Sequence, residues 1–415
     1  RSPAWVVRCP TACFSLSSGS PCLRWRAHRL YFLASAAVAP SYIICHIVAA
    51  RSARIGLSVK MAPSGMRGAL ANLICVLAWT LPLVLLPASI VLVMKSYGLT
   101  AILAGFVLMA LLLGGPKNIC FRVVMFSIFI VAAAYSPESG RARAAAGAFT
   151  LAVMLAMVTE VPGRPKDWKP WPRFCKLISK DLDGRSYFTA AELGGALDQI
   201  KPGKNLFAVH PHGILTAGYT WNLFWNFDLH ERTGRIGFLC DEGLRRKMPT
   251  FRLMCDWYEN KNRYADSATK EVIMEAMKRG DSLALLPGGF QEAVICARGK
   301  DRVYIKKRAG FVKYCLQHGY RITPVYNFGE SDCYHTFRPF LSIRLWLAGQ
   351  NIPASIMFGN PFCPLLPLRS TSLHSVVGPP LELPQIADPT REQVAEWHNK
   401  YMEALTTLFD KHKAE

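Results

Sequence analysis

Two histidines open the chemistry of this chain: His210 and His212 in His210-Pro211-His212-Gly213, directly after the apolar run Leu206-Phe207-Ala208-Val209. An apolar run that stops at proline and glycine predicts a buried strand entering a turn. Pro211 fixes the backbone on one side of His212 and Gly213 frees it on the other. Imidazole takes up a proton near neutral pH, so a base presented at a strand end is the leading chemical reading. Residues two apart on a strand share a face, so two legs of a metal site are the lesser reading. No H-E-x-x-H accompanies them, and His230 is a third histidine without special context.

Two further constellations could serve such a base. Leu286-Pro287-Gly288-Gly289-Phe290-Gln291-Glu292 places consecutive glycines after an apolar run. Backbone amides in such a turn can approach a phosphate or a developing oxyanion. Glu292 could orient an imidazole or cap the next helix, and the residues alone leave both open. Lys306, Lys307, Arg308 and Lys313 form a basic cluster, either a solvated face or a seat for the phosphates of a nucleotide-linked substrate such as coenzyme A.

The elements that must position these groups alternate. Strands are predicted at Leu206–Val209, Ile236–Cys240, Ser282–Leu286 and Arg321–Tyr326. Helices are predicted at Ser267–Arg279, Gly310–His318 and Arg391–Lys413. Strand–helix alternation implies an α/β domain with a mostly parallel sheet, whose ligands gather at the carboxyl ends of the strands. His212 and the Gly288-Gly289 turn both fall there.

Ahead of this domain the chain changes character. No Asp or Glu precedes Glu138, while twelve Lys or Arg do; the remainder holds 37 basic against 28 acidic residues. The formal charge of +21 thus belongs in part to the N-terminal region, and no zinc-finger spacing or aromatic–basic face points to nucleic acid. Ala69–Met94 and Leu99–Leu113 read as membrane spans, with Ile119–Tyr135 and Ala144–Val158 weaker candidates. Arg122 could snorkel at one end of the third. Residues 1–60, which lack Met and precede Met61, read as upstream translation or a targeting segment. Residues 61–160 then form the transmembrane or membrane-embedded region. A catalytic domain follows over 161–415, entered through Pro162, Pro165, Pro170 and Pro172 with Trp168 and Trp171 as interfacial anchors. Thirteen cysteines without a C-x-x-C pair imply neither a disulfide framework nor a zinc site.

Taken together, these motifs resemble the type-2 acyl-CoA:diacylglycerol acyltransferase family, which includes monoacylglycerol and wax-alcohol acyltransferases. His210-Pro211-His212-Gly213 matches its His-Pro-His-Gly signature. Arg308-Ala309-Gly310-Phe311-Val312-Lys313, His318-Gly319, Pro324-Val325-Tyr326 and Phe328-Gly329-Glu330 are similar to its long R-x-G-F-V-K…F-G-E block. Gly288–Glu292 is similar to its G-G-A-x-E segment, and Tyr401–Leu405 with Leu408–Lys413 to its ending. The likeness runs from about Trp168 to the C-terminus. Pro170-Trp171-Pro172 stands where the family has Tyr-Phe-Pro, Phe290 replaces alanine, and no Phe-Leu-x-Leu motif is evident. The wider superfamily's His-x4-Asp pattern fails too, since Ala217 lies five after His212.

The resemblance implies a membrane-anchored α/β acyltransferase domain that moves a long-chain acyl group from acyl-CoA to diacylglycerol. His212 would be the base, His210 its support and Glu292 its carboxylate partner. Pro211, Gly213, Gly288, Gly289, Arg308, Lys313 and Glu330 would bind substrate. No metal and no cofactor beyond the co-substrate acyl-CoA is expected. Expected partners are a neutral lipid and a membrane, with no nucleic acid, and a homo-oligomer is an open possibility. The expected place is the endoplasmic reticulum membrane, multi-pass with a cytosolic catalytic domain, or the lipid droplet. Monoacylglycerol, a fatty alcohol or a lysophospholipid are alternative acceptors. A non-catalytic lipid-binding protein and a metal-dependent hydrolase are the readings from other classes.

Overall fold

In the computed structural model, residues 63–78, 171–350 and 354–414 are described. The spans expected at Leu99–Leu113, Ile119–Tyr135 and Ala144–Val158 lie outside them, as do residues 1–60, Trp168 and most of the proline linker. Among the described residues no helix is long and apolar enough to cross a membrane.

The core is a seven-stranded sheet: β1 (Ala190–Gly195), β2 (Asn205–His210), β3 (Ile236–Cys240), β4 (Arg263–Ser267), β5 (Ser282–Leu285), β6 (Arg321–Phe328) and β9 (Ser372–Val377). Their order is β1-β9-β6-β2-β5-β3-β4. Every neighbouring pair is parallel except β6 with β9, so the sheet is mostly parallel, as the strand–helix alternation requires. A separate two-stranded ribbon joins β7 (His335–Thr336) to β8 (Met357–Phe358).

Period-two alternation along β2 feeds two cores. Phe207 and Val209 enter one with Tyr219, Trp221, Leu223 and Tyr258. Leu206 and Ala208 enter the other, with Val312, Leu316, Tyr320 and Tyr401. A strand buried on both faces needs the continuous apolar run its sequence has. Each fully buried Leu or Phe contributes about 1.5–3 kcal/mol, so a polar group ending this strand is held by a rigid frame.

The helices in chain order are α1 (residues 64–78), α2 (Trp171–Lys176), α3 (Phe227–Thr233), α4 (Pro249–Tyr258), α5 (Lys270–Arg279), α6 (Gly289–Ile295), α7 (Gly310–His318), α8 (Leu341–Gly349) and α9 (Arg391–His412). Thr269 caps α5 through the Val272 amide, so the helix expected from Ser267 begins at Lys270. Gly319, at φ 62°, closes α7 in the left-handed region. A Thr390–Gln393 capping box starts α9, just after Asp388-Pro389. The first part of the apolar stretch Ala69–Met94 is helix α1, and it packs on the folded domain. Trp221 Nε1 donates to Asn72 Oδ1 at 2.8 Å, and Asn72 Nδ2 donates to Gly184 O at 2.9 Å.

Candidate active site

The strand predicted to stop at Val209 runs one residue further, so His210 itself ends β2, opposite Tyr326 of β6. By alternation its side chain falls on the Leu206–Ala208 face, where the Tyr401 ring centroid lies 6.4 Å away. His210 is fully buried. The His210-Pro211 peptide is cis, and the chain then turns through Gly213 at φ 63°. The two histidines therefore do not share a strand face: one closes the strand and the other rides the turn.

Glu292 comes from the turn after β5, the strand beside β2. Gly288 makes the approach possible, because a Cβ there would occupy the position of the Glu292 carboxylate. The carboxylate is buried and fully engaged. Its two oxygens each lie 3.0 Å from His210 Nδ1, Oε1 accepts the His212 amide at 2.5 Å, and Oε2 accepts the Tyr304 amide at 2.7 Å. Burial alone would raise its pKa. The charge and hydrogen bond of His210 with the Tyr304 amide outweigh that, holding Glu292 below the ordinary carboxylate range and ionised. Glu292 thus orients the ring of His210, whereas it grips His212 by the backbone and not by the imidazole.

His212 is the half-buried member of the motif. Its Nδ1 lies 3.0 Å from the Gly213 carbonyl, which can only accept, so Nδ1 carries the proton and Nε2 the lone pair. Desolvation lowers its pKa against the smaller opposing pull of that carbonyl and of Glu292, so the ring is uncharged at neutral pH. His210 Nε2, by contrast, is a buried nitrogen with no hydrogen-bond partner among the described residues.

Glu330 lies after β6, buried beneath the same turn, where it accepts the Ala217 amide at 2.9 Å and the Gly218 amide at 2.6 Å. A Cβ on Gly213 would strike it. With both oxygens on backbone amides, it braces the turn from below. Position 217, where His-x4-Asp would put its carboxylate, receives one instead from Glu330 through space. Burial, opposed only by those amides, raises its pKa to about 7.

The glycine turn is correspondingly recast. The Gly289 amide donates to Leu286 O at 3.2 Å, and Gly288 supplies room for Glu292. Arg308 is tied to Gln291 on α6 and lies over the Tyr304 ring at 5.6 Å, so it belongs to the wall of this site. Lys306, Lys307 and Lys313 are exposed nearby in sequence. His230 is remote, its Nε2 near Leu223 O at 3.1 Å and its pKa lowered to about 3 by burial. No group of three His, Cys, Asp or Glu side chains is placed to hold a metal among the described residues.

Sequence reasoning missed the Tyr304 amide, the Ala217–Gly218 amides and the Tyr401 ring. The first two are backbone groups that carry no residue-type signal. Tyr401 stood within the matched C-terminal motif, but nothing local to it pointed at His210.

Known proteins are similar to this chain in sequence. A profile of the diacylglycerol acyltransferase family matches residues 152–415. Diacylglycerol O-acyltransferase 2 of Dictyostelium discoideum is 32% identical over 228 residues, covering 51% of this chain and 67% of its own. Human acyl-CoA wax alcohol acyltransferase 2 is 36% identical over 228 residues, covering 52% of this chain and 67% of its own. Mouse 2-acylglycerol O-acyltransferase 1 is 30% identical over 281 residues, covering 60% and 73%.

Proposed function

The chain belongs to the diacylglycerol acyltransferase family, and from that premise we propose that it transfers a long-chain acyl group from acyl-CoA to the free hydroxyl of diacylglycerol, with His212 as general base. The observation that carries the base assignment is the Gly213 carbonyl on His212 Nδ1, which leaves Nε2 as a lone pair on a half-buried ring. Nε2 takes the acceptor's hydroxyl proton as its oxygen bonds to the thioester carbon. The tetrahedral intermediate then expels the coenzyme A thiolate, which recovers the proton from the imidazolium. Such a base contributes about 10²–10⁴-fold. Glu292 fixes the turn through the His212 amide and fixes the His210 ring behind it. The proposed oxyanion donors are amides of the Gly288-Gly289 turn, of which Gly289's is shared with Leu286. Arg308 and Lys313 are proposed to receive the phosphates of acyl-CoA.

Acceptor and product are insoluble in water, so the proposed setting is a membrane, entered through the apolar region before residue 160. The endoplasmic reticulum and the lipid droplet are the proposed places, with the catalytic domain on the cytosolic side where acyl-CoA is found. Expression in a host lacking triacylglycerol synthesis tests the reaction: triacylglycerol should reappear in cells that express the wild-type protein. Accumulation of wax ester alone, or of diacylglycerol from monoacylglycerol, would reassign the acceptor.

A second reading is favoured by the partnerless His210 Nε2 beside an ionised carboxylate, an arrangement that could itself make a base. It requires acceptor access to a fully buried ring. His210→Gln, which keeps a donor toward Glu292, separates the two readings. It should abolish turnover only if His210 is the base.

A further inference from the structure

The segment after β6 inverts the usual rule for helices. In α8 the apolar Leu341, Ile343 and Trp346 point outward, while Arg344 is buried. Its guanidinium meets no carboxylate among the described residues. It donates to three carbonyls, Ala354 O at 2.8 Å, Val294 O at 3.1 Å and Phe337 O. The apolar face continues beyond the helix. Phe340 is 69% exposed just before it, Trp346 is 61% exposed on it, and Phe358 and Phe362 (98%) are exposed on and just beyond β8. Phe337 ties the pieces together, its amide on Ile356 O at 3.0 Å and its ring 6.4 Å from Phe340. A contiguous face of this kind faces something other than water.

Charge identifies what. No Asp or Glu occurs between Asp332 and Glu382. The exposed Arg338 lies at the edge of this face and donates to Arg298 O at 3.2 Å, and Arg298 is itself exposed. Asp332 Oδ1 lies beside this rim, accepting the Gly299 amide at 2.8 Å, but the segment that carries the apolar face has no Asp or Glu. Apolar side chains with an arginine rim match an anionic phospholipid surface: aromatics enter the acyl boundary and guanidinium groups meet the phosphates. The face is also joined to the site. Arg344 binds the last turn of α6, Gln291 Nε2 donates to Ala348 O at 3.4 Å, and Ser355 Oγ donates to Ala293 O at 3.2 Å. The helix that carries Glu292 thus has this face on its other side.

We propose that α8 and the β7–β8 ribbon form a second membrane contact, which inserts Phe340, Ile343 and Trp346 into a phospholipid surface and seats the active site on the lipid that holds its acceptor. The role in acceptor supply rests on the acyl-transfer reading; the membrane contact does not.

The full chain, reconstituted in phosphatidylcholine vesicles containing phosphatidylserine, would be labelled by an apolar carbene reagent dissolved in the acyl chains and mapped by mass spectrometry. Adducts are expected on Phe340, Ile343 and Trp346, and not on buried Phe207. Absence of adducts from the 337–362 peptides overturns the proposal, whether another part of this chain or a second copy covers the face. A Phe340→Ser/Ile343→Ser/Trp346→Ser variant, changed only at exposed positions, should raise the apparent KM for vesicle-borne diacylglycerol about tenfold or more. Its turnover of a water-soluble short-chain diacylglycerol should stay within about twofold of wild type. Equal losses on both acceptors overturn the supply role. No turnover by the wild type on either acceptor would sink the acyl-transfer reading alone and leave the labelling result to stand.

Discussion

Two turns at the carboxyl edge of the sheet each deliver one buried glutamate to the His-Pro-His-Gly segment, and the two carboxylates titrate in opposite directions. Glu292, after β5, meets an imidazole and two backbone amides; burial pushes it up, but those partners hold it below the ordinary value. Glu330, after β6, meets two amides and, among the described residues, no cation, and burial raises it to about 7. Burial is similar in the two; the partner decides. Glu292 is therefore a fixed negative charge against His210 and the His212 amide, while Glu330 is a brace that takes up a proton near neutrality. Their linkage to stability has opposite sign. The Glu292 contribution is present above its unfolded value near 4.3 and is lost as pH falls below it. The Glu330 contribution is complete below that value and is lost as pH rises toward about 7.

Of the two glutamates, Glu292 should show the larger effect, in Glu292→Gln. An amide cannot supply the charge opposite His210, and its NH2 would confront a backbone donor. A fall in kcat of about 10²-fold or more is expected, with little change in KM for acyl-CoA. A variant with near-normal kcat would remove Glu292 from the reacting end. Gly213→Ala combines a positive φ with a Cβ driven against Glu330, so it should cost about 1–3 kcal/mol of stability, read by chemical denaturation. If Glu330→Ala failed to relieve part of that cost, the close approach of brace and turn would be wrong. The raised Glu330 pKa predicts a decline in wild-type thermal midpoint between pH 5 and about pH 7, which Glu330→Gln should flatten while leaving activity at pH 6 within about tenfold. An unaltered slope would contradict the assignment of that titration. Tyr304→Phe should matter least, within about twofold in kcat, because only its backbone amide meets Glu292.

How much of this was legible in the chain follows from how each feature is encoded. Ile236–Cys240 and Gly310–His318 are found with the bounds that hydrophobic pattern and the closing glycine predict. Asn205–His210 gains its last residue because a buried histidine, satisfied by Glu292, can continue a ladder that hydropathy ends at Val209. The meeting of His210 with Glu292 is a through-space pairing of residues 82 apart. Residue types identified both as chemical groups, yet could not say which imidazole the carboxylate would face. Glu330 was visible only inside a matched motif; its grip on Ala217 and Gly218 depends on β6 lying beside β2, which the linear order does not state. The outward apolar face of α8 was also hidden, because an apolar run around one arginine does not say which of them is buried; here it is Arg344.

The central claim is that His212 Nε2 removes the acceptor's proton. The direct measurement is kcat for acyl transfer from acyl-CoA to diacylglycerol in reconstituted His212→Gln and His210→Gln proteins, with the wild-type rate followed against pH. His212→Gln should lose about 10²–10⁴-fold while His210→Gln keeps measurable turnover. The wild-type acid limb should lie below the ordinary histidine value of about 6.5, because desolvation lowers the His212 pKa. Near-wild-type turnover by His212→Gln, with none by His210→Gln, would contradict the account and move the base to the buried histidine.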